Sequence, residues 1–213
     1  MNFENGCVYV IDDEPSVRKS IHRLIKSAGI KTMLFTSAKE FLEHNLADIP
    51  GCLILDYQMP DMNGLALQNA LASRGIEIPI IFITGHGTVP VSVQAMKVGA
   101  IDFLEKPIEE KVLIDAVFNA LDIDMRRRSE QCALHSIQSR FALLTPRERD
   151  VLRLVVTGML NKQVAGELGI SEKTVKVHRA SVMKKMSAES LAELVLLAER
   201  IGIAKPHNPS ILD

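Results

Sequence analysis

Five side chains in the first half of this sequence have the type and placement for chemistry on an anion: Asp12, Asp13, Asp56, Thr84 and Lys106. Each closes or follows a short apolar run. Val8 to Ile11 leads into Asp12-Asp13-Glu14, Cys52 to Leu55 into Asp56, Pro79 to Ile83 into Thr84, and Ile101 to Leu104 into Glu105-Lys106-Pro107. One Asp at the end of a strand is explained as well by a cap as by a working carboxylate. Three carboxylates, a hydroxyl and an ammonium gathered at one edge are hard to explain as caps, because crowded carboxylates repel unless a cation lies among them. Mg²⁺ suits such a set, since it takes carboxylate, carbonyl and water oxygens and usually binds beside phosphate. Lys106 and Thr84 could then hold the oxygens of an anionic group on Asp56.

These residues share an edge only if the runs that carry them are parallel strands. Continuous apolar runs bounded by turn residues read as strands buried on both faces. Between them lie helical segments. One starts at Pro15 with Val17, Ile21, Leu24, Ile25 and Ala28 on its apolar side and closes at Gly29. The next is capped by Ser37 and runs to about Asn45, after a second strand at Thr32 to Phe35. A third opens at Asn63-Gly64 with Leu65, Leu67, Leu71 and Ala72 apolar. The others run from about Val89 to Val98 and from about Glu109. Five strands alternating with five helices predict a doubly wound α/β domain with a parallel sheet, whose C-terminal strand ends are where ligands bind.

With Asp12-Asp13, Leu55-Asp56-Tyr57-Gln58-Met59-Pro60, Ile83-Thr84-Gly85 and Phe103-Leu104-Glu105-Lys106-Pro107 in this order and spacing, residues 5–122 resemble a response-regulator receiver domain. The resemblance implies a flavodoxin-like fold with strand order 2-1-3-4-5 and Asp56 as phosphoacceptor. It implies Mg²⁺ on Asp13, Asp56 and the Gln58 backbone carbonyl, with Asp12 acting through water. Thr84 and Phe103 match the switch positions, Lys106-Pro107 a cis peptide bond, and His86 and Gln58 the places of residues that tune phosphoaspartate hydrolysis. The chemistry agrees: a carboxylate is a competent nucleophile toward phosphorus once a metal and Lys106 neutralise the incoming group.

No Pro or Gly interrupts residues 108–144, so the last helix of the first half is expected to continue through a helical linker, residues 123–143. Within it Arg126-Arg127-Arg128 reads as a solvated face. Thr145-Pro146-Arg147-Glu148 is a capping box with Pro in the first turn. Val151, Leu152, Val155 and Val156 follow, and Gly158 ends that helix. Asn161 starts a second helix that stops at Gly169, Ser171 caps a third from Glu172 to about Met186, and a fourth runs from about Ala188 to Arg200. Two short helices joined by a Gly-containing turn read as helix-turn-helix. On the third, Lys173, Lys176, Val177, Ala180 and Lys184 share one side, opposite Val175, Val182 and Met186. Small apolar groups among lysines suit a major-groove surface better than a solvated one. The fourth offers Leu191, Leu194, Val195, Leu196, Leu197 and Ala198, more apolar surface than one buried stripe needs. The surplus is expected to pair two DNA-binding halves, the alternative being core packing.

Residues 144–204 resemble the LuxR-type helix-turn-helix, through Leu144-Thr145-Pro146-Arg147-Glu148, Asn161-Lys162-Gln163-Val164-Ala165 and Thr174-Val175-Lys176-Val177-His178-Arg179. Joined to the receiver, the chain is similar to response regulators of the NarL/FixJ class, on the FixJ side. That resemblance implies double-stranded DNA as target, with Lys173, Thr174, Lys176, Val177, Arg179, Ala180 and Lys184 at the contact. It implies a sensor histidine kinase as phosphoryl donor and a homodimer formed on phosphorylation, and it allows a contact with RNA polymerase. Ala180 departs from members that carry a DNA-contacting Lys there, so base specificity is not carried over.

The charge pattern fits two halves with different partners. Residues 1–122 hold 16 acidic and 10 basic side chains, residues 123–213 hold 10 and 15, and a basic half is a candidate for nucleic acid. Cys7, Cys52 and Cys132 form neither a disulfide framework nor a zinc spacing, and with no leader or long apolar run a reducing cytoplasm fits best. The tail, 205–213, is expected to be disordered. A phosphohydrolase working through a phosphoaspartate is the enzyme alternative; it lacks an acid two residues after Asp56, where Gln58 stands. An RNA- or protein-binding adaptor with a vestigial receiver is the third, and the intact carboxylates argue against it.

Overall fold

β1 (Cys7–Ile11), β3 (Gly51–Asp56) and β4 (Ile80–Thr84) are buried at every position, while β2 (Lys31–Phe35) and β5 (Asp102–Glu105) are partly exposed. The computed structural model, which describes residues 6–85, 93 and 95–203, explains the contrast: the strands form one parallel sheet in the order β2-β1-β3-β4-β5, with the two polar strands at its edges. Side chains alternate between faces. Tyr9, Ile11, Leu53, Leu55 and Phe82 point into one core, and Val8, Val10, Cys52, Ile54 and Ile81 into the other.

Helices α1 (Pro15–Ser27) and α4 (Glu110–Ala142) cover the second core with Ile21, Ile25, Leu113 and Val117, and α2 (Ala38–Glu43) and α3 (Gly64–Ser73) the first with Phe41, Leu67 and Leu71. Each fully buried aliphatic or aromatic side chain contributes about 1.5–3 kcal/mol. The cap expected at Ser37 is present, accepting from the Glu40 N–H, and the helix expected to open at Asn63-Gly64 is capped by the Asn63 side chain, which accepts from the Ala66 N–H. One helix phase differs from expectation. Ala72 is exposed and Gln68 takes its place in the core, its Nε2 donating to the Val98 carbonyl at 3.2 Å. Of the expected helix at 89–98, residues 93 and 95–97 are helical; 86–92 and 94, His86 among them, lie outside the described residues, as does the tail from 204.

The chain divides into two compact units, Met1–Arg128 and Ser129–Asp213. The second contains the end of α4, then α5 (Pro146–Val155), α6 (Asn161–Leu168), α7 (Glu172–Met186) and α8 (Leu191–Arg200). Its core joins Ile137 of α4 to Val151, Leu152, Val175, Val182, Met186 and Leu194. Among the described residues no helix is long and apolar enough to cross a membrane.

Candidate functional site

Strand register assembles the site. Ile11 pairs with Leu55, so Asp12 and Asp56 leave the sheet side by side; Asp56 pairs with Ile83, and Thr84 with Glu105, which brings Thr84 and then Lys106 to the same edge. Carboxylate oxygens of Asp12, Asp13 and Asp56 all lie within 4.8 Å of one another. Lys106 Nζ donates to Asp12 Oδ2 at 2.7 Å and Asp56 Oδ1 at 3.0 Å. The Lys106-Pro107 peptide is cis, and the Lys106 N–H donates to the Thr84 carbonyl at 2.7 Å.

Asp12, Asp56 and Thr84 are buried, Asp13 is exposed and Lys106 half-buried. Burial, with the neighbouring Asp12 and Asp13 charges adding to it, lifts the Asp56 carboxyl above the usual range although Lys106 pulls the other way. Burial of Lys106 opposes its charge, but the bonds to Asp12 and Asp56 outweigh it and hold the ammonium above its ordinary value. Three carboxylates against one ammonium leave a negative surplus, and hard oxygen donors with surplus charge suit a divalent cation such as Mg²⁺.

The backbone beyond Asp56 is fixed by close approach. The Tyr57 N–H donates to the Ile83 carbonyl and the Gly64 N–H to the Tyr57 carbonyl. A Cβ on Gly64 would meet the Phe82 ring at 2.7 Å and the Asp56 carbonyl at 2.8 Å; only glycine allows α3 to start there. Gln58 is exposed in this turn. Phe103 is half-buried, its ring 6.4 Å from that of Tyr57 and 6.2 Å from that of Phe82.

Sequence reasoning missed a buried carboxylate outside this cluster. Asp124 of α4 is fully buried. Its Oδ2 accepts from the Gly51 N–H at 2.9 Å and Arg128 Nε at 2.7 Å, and its Oδ1 accepts from Arg127. This corrects the expectation for Arg126-Arg127-Arg128. Only Arg126 is a solvated charge, paired with Asp122; the other two grip Asp124 and reach Glu77 and Asp48. The i, i+3, i+4 spacing was visible, but nothing in it marks Asp124 as buried.

In the second unit, Ser171 caps α7 by accepting from the Thr174 N–H, after a turn in which Gly169 has φ of +62°. Lys173, Lys176, Val177, Ala180 and Lys184 form one exposed face of α7, and Val177 is 63% exposed. Thr174 and Arg179 are half-buried and already engaged, with Ser171 Oγ and with Asn161 Oδ1 at 3.1 Å. On the inner side Glu148 accepts from Ser181, from Lys185 at 2.6 Å and from the Thr145 N–H at 2.8 Å. These bonds, that from Lys185 first, pull its carboxyl down to about 2. Most of the surplus apolar surface expected on α8 goes to the core: Leu194 and Ala198 are buried, Leu191, Val195 and Leu197 pack against that core, and Leu196 stays exposed.

Residues 8–118 match the response regulator receiver domain and residues 142–198 the luxR family of bacterial regulatory proteins. Nodulation protein W of Bradyrhizobium diazoefficiens is 48% identical over 200 residues, covering 94% of this chain and 88% of that protein. Transcriptional regulatory protein FixJ of Azorhizobium caulinodans is 44% identical over 197 residues, covering 92% and 93%. Among solved structures, the response regulator StyR superposes with a TM-score of 0.85 at 46% identity over 92% of this chain and 99% of that one. Full-length FixJ from B. japonicum gives 0.57 at 40% identity over 94% and 98%.

Proposed function

Since the chain belongs to the response regulators that join a receiver domain to a LuxR-type DNA-binding domain, and is accordingly a phosphorylation-dependent transcriptional regulator, we propose that Asp56 is its phosphoacceptor and the exposed face of α7 its DNA-reading surface. The observation that carries the first assignment is the cluster of three carboxylates within 4.8 Å, two of them bonded to Lys106. Asp13, Asp56 and the Gln58 backbone carbonyl would hold Mg²⁺, with Asp12 reaching it through water. When bound, the ion supplies positive charge to the oxygens of the incoming group.

The donor is a histidine kinase. An Asp56 oxygen attacks phosphorus, the P–N bond to the kinase imidazole breaks as the P–O bond forms, and the imidazole takes up a proton. Lys106 stabilises the phosphoryl oxygens. The cleft of about 810 Å³ between α1 and the start of α4 opens beside Lys106 and is lined by Lys19, Arg23 and Ser20, so it is the face on which the kinase would sit. With Gln58 two residues after Asp56, the receiver lacks the acid that a phosphohydrolase would carry at that position; the phosphohydrolase alternative has no support from the family either.

The Thr84 hydroxyl then turns toward the new oxygens, Phe103 fills the space it leaves, and the altered face favours a homodimer. A gap of a few kcal/mol between the two states is enough for phosphorylation to shift the population. On DNA, Lys173, Lys176 and Lys184 contact phosphates, Val177 lies near base edges and Ala180 permits close approach. Thr174 and Arg179 join only by exchanging their present partners. A protein that links a kinase to DNA in this way works in the cytoplasm.

A DNA-binding selection on the full chain, with and without acetyl phosphate, tests the reading. Duplexes carrying two half-sites about one helical turn apart should be enriched with the donor and lost in Asp56→Asn. Equal enrichment with and without donor would overturn phosphorylation control, and a single unrepeated site would overturn the dimer.

A further inference from the structure

The last turns of α4 put Ile137, Arg140 and Phe141 on one side of the helix, at i, i+3 and i+4. Ile137 is buried and Phe141 packs beside it in the core of the DNA-binding unit. Arg140 reaches the end of the reading helix: its Nη1 donates to the Met186 carbonyl at 3.0 Å, while Nη2 is steadied by Ser136 Oγ at 3.1 Å. Met186 is the last residue of α7.

That helix end is held under constraint. Ser187, which caps it, has φ of +54°, the one positive φ outside glycine among the described residues. A side chain in this region crowds its own backbone and stays there only where its surroundings fix it. The N–H groups of Ser187 and Ala188 satisfy the carbonyls of Lys184 and Met183 at 3.1 and 2.9 Å, and the guanidinium takes that of Met186. A cation on the last carbonyls of a helix is favoured by hydrogen bonding and by the helix dipole. Lys184, two residues before Met186, belongs to the exposed face.

We propose that Arg140 is a positioning residue for operator recognition: by fixing the C-terminal end of α7 it sets the angle at which Val177 and Ala180 meet the groove. The inference rests on α7 being the reading helix. Base contacts by Val177 and Ala180 need that angle, because an apolar contact loses a quarter to a half of its attraction over a gap of about 0.5–1 Å. Phosphate contacts through long lysines tolerate a shift. Arg140 therefore governs specific affinity more than general affinity for DNA.

The test uses the full-length phosphorylated protein, a duplex recovered by selection with the wild type, and a scrambled duplex of equal length, each over a range of salt. Arg140→Ala should lose about tenfold in affinity for the selected duplex, on the scale of one disturbed base contact, and keep its affinity for the scrambled one. Its salt dependence should be unchanged, and Arg140→Lys, which retains a charged donor, should recover most of the loss. Equal losses on both duplexes, with a salt slope flatter by about one counterion, would make Arg140 a phosphate contact and overturn the proposal. So would a lowered Tm with wild-type binding well below it, the result of a brace alone. A wild type that recovers no duplex would overturn the reading of α7 and this inference with it.

Discussion

The two ends of β3 each hold a buried carboxylate, and they are neutralised in opposite ways. At Gly51, Asp124 is the one buried carboxylate and receives two guanidinium groups and a backbone N–H, while the exposed Glu77 and Asp48 meet only the outer sides of those arginines. At Asp56, three carboxylates share one ammonium. A buried charge without compensation costs several kcal/mol, so a fold keeps a surplus only where something positive is to arrive. Balance at one end of the strand and imbalance at the other separate a fastening from the proposed phosphoacceptor site. Glu148 in the second unit is of the balanced kind, with Lys185, Ser181 and Thr145 around it.

Substitution at Asp56 breaks the contrast most sharply. Asp56→Asn should lose all uptake of acid-labile phosphoryl label while remaining folded; label on the Asn variant would put the acceptor elsewhere. Asp124→Ala is the mirror image. It removes the buried partner of two arginines, leaving them only the exposed Glu77 and Asp48, and frees the Gly51 N–H; it should cost about 4 kcal/mol in urea unfolding, yet the folded fraction should still take the label. If Asp124→Ala were as stable as the wild type, the clasp would be decoration.

The Glu148 carboxyl sharpens the comparison through pH. Its folded value of about 2 lies below the ordinary 4.5. Its contribution is therefore complete above pH about 4.5 and disappears as pH falls toward about 2, up to roughly 3 kcal/mol in all. Glu148→Gln should flatten that part of the acid unfolding curve, and an unaltered acid limb would mean the bonds contribute nothing net. The smallest effect is expected at Asp13, exposed at the unbalanced end. Asp13→Asn relieves repulsion and should stabilise the metal-free protein by about 1 kcal/mol, while abolishing the rise in Tm expected of the wild type on adding Mg²⁺. A variant whose Tm still climbs with Mg²⁺ would exclude Asp13 as a ligand.

The unbalanced end was legible in the sequence because each polar residue follows an apolar strand, and parallel topology brings strand ends together whatever their separation along the chain. The balanced end was not. Asp124 sits in a run of charges that looks solvated, and its decisive partner, Gly51, is 73 residues away. Gln68 misled for a related reason: its amide enters the core only because the Val98 carbonyl waits there. On α7 the lysine face was legible from spacing, whereas Thr174 and Arg179 were read by resemblance alone, which says nothing of the bonds that occupy them. On α8 the apolar stripe was visible but its width was misjudged, since half-buried positions flank a helix packed into a small core.

The thiols give this sheet a chemical clock. Cys7 opens β1 and Cys52 stands beside Gly51; both are buried, and burial holds both thiols above their ordinary pKa, whereas Cys132 is exposed. Since only a thiolate reacts, a maleimide or disulfide reagent should titrate one equivalent at once and the other two at the rate at which the balanced edge of the sheet opens. Counting equivalents against time turns an unmodified protein into its own reporter. In Asp124→Ala the second and third equivalents should come sooner, and in Asp56→Asn they should not.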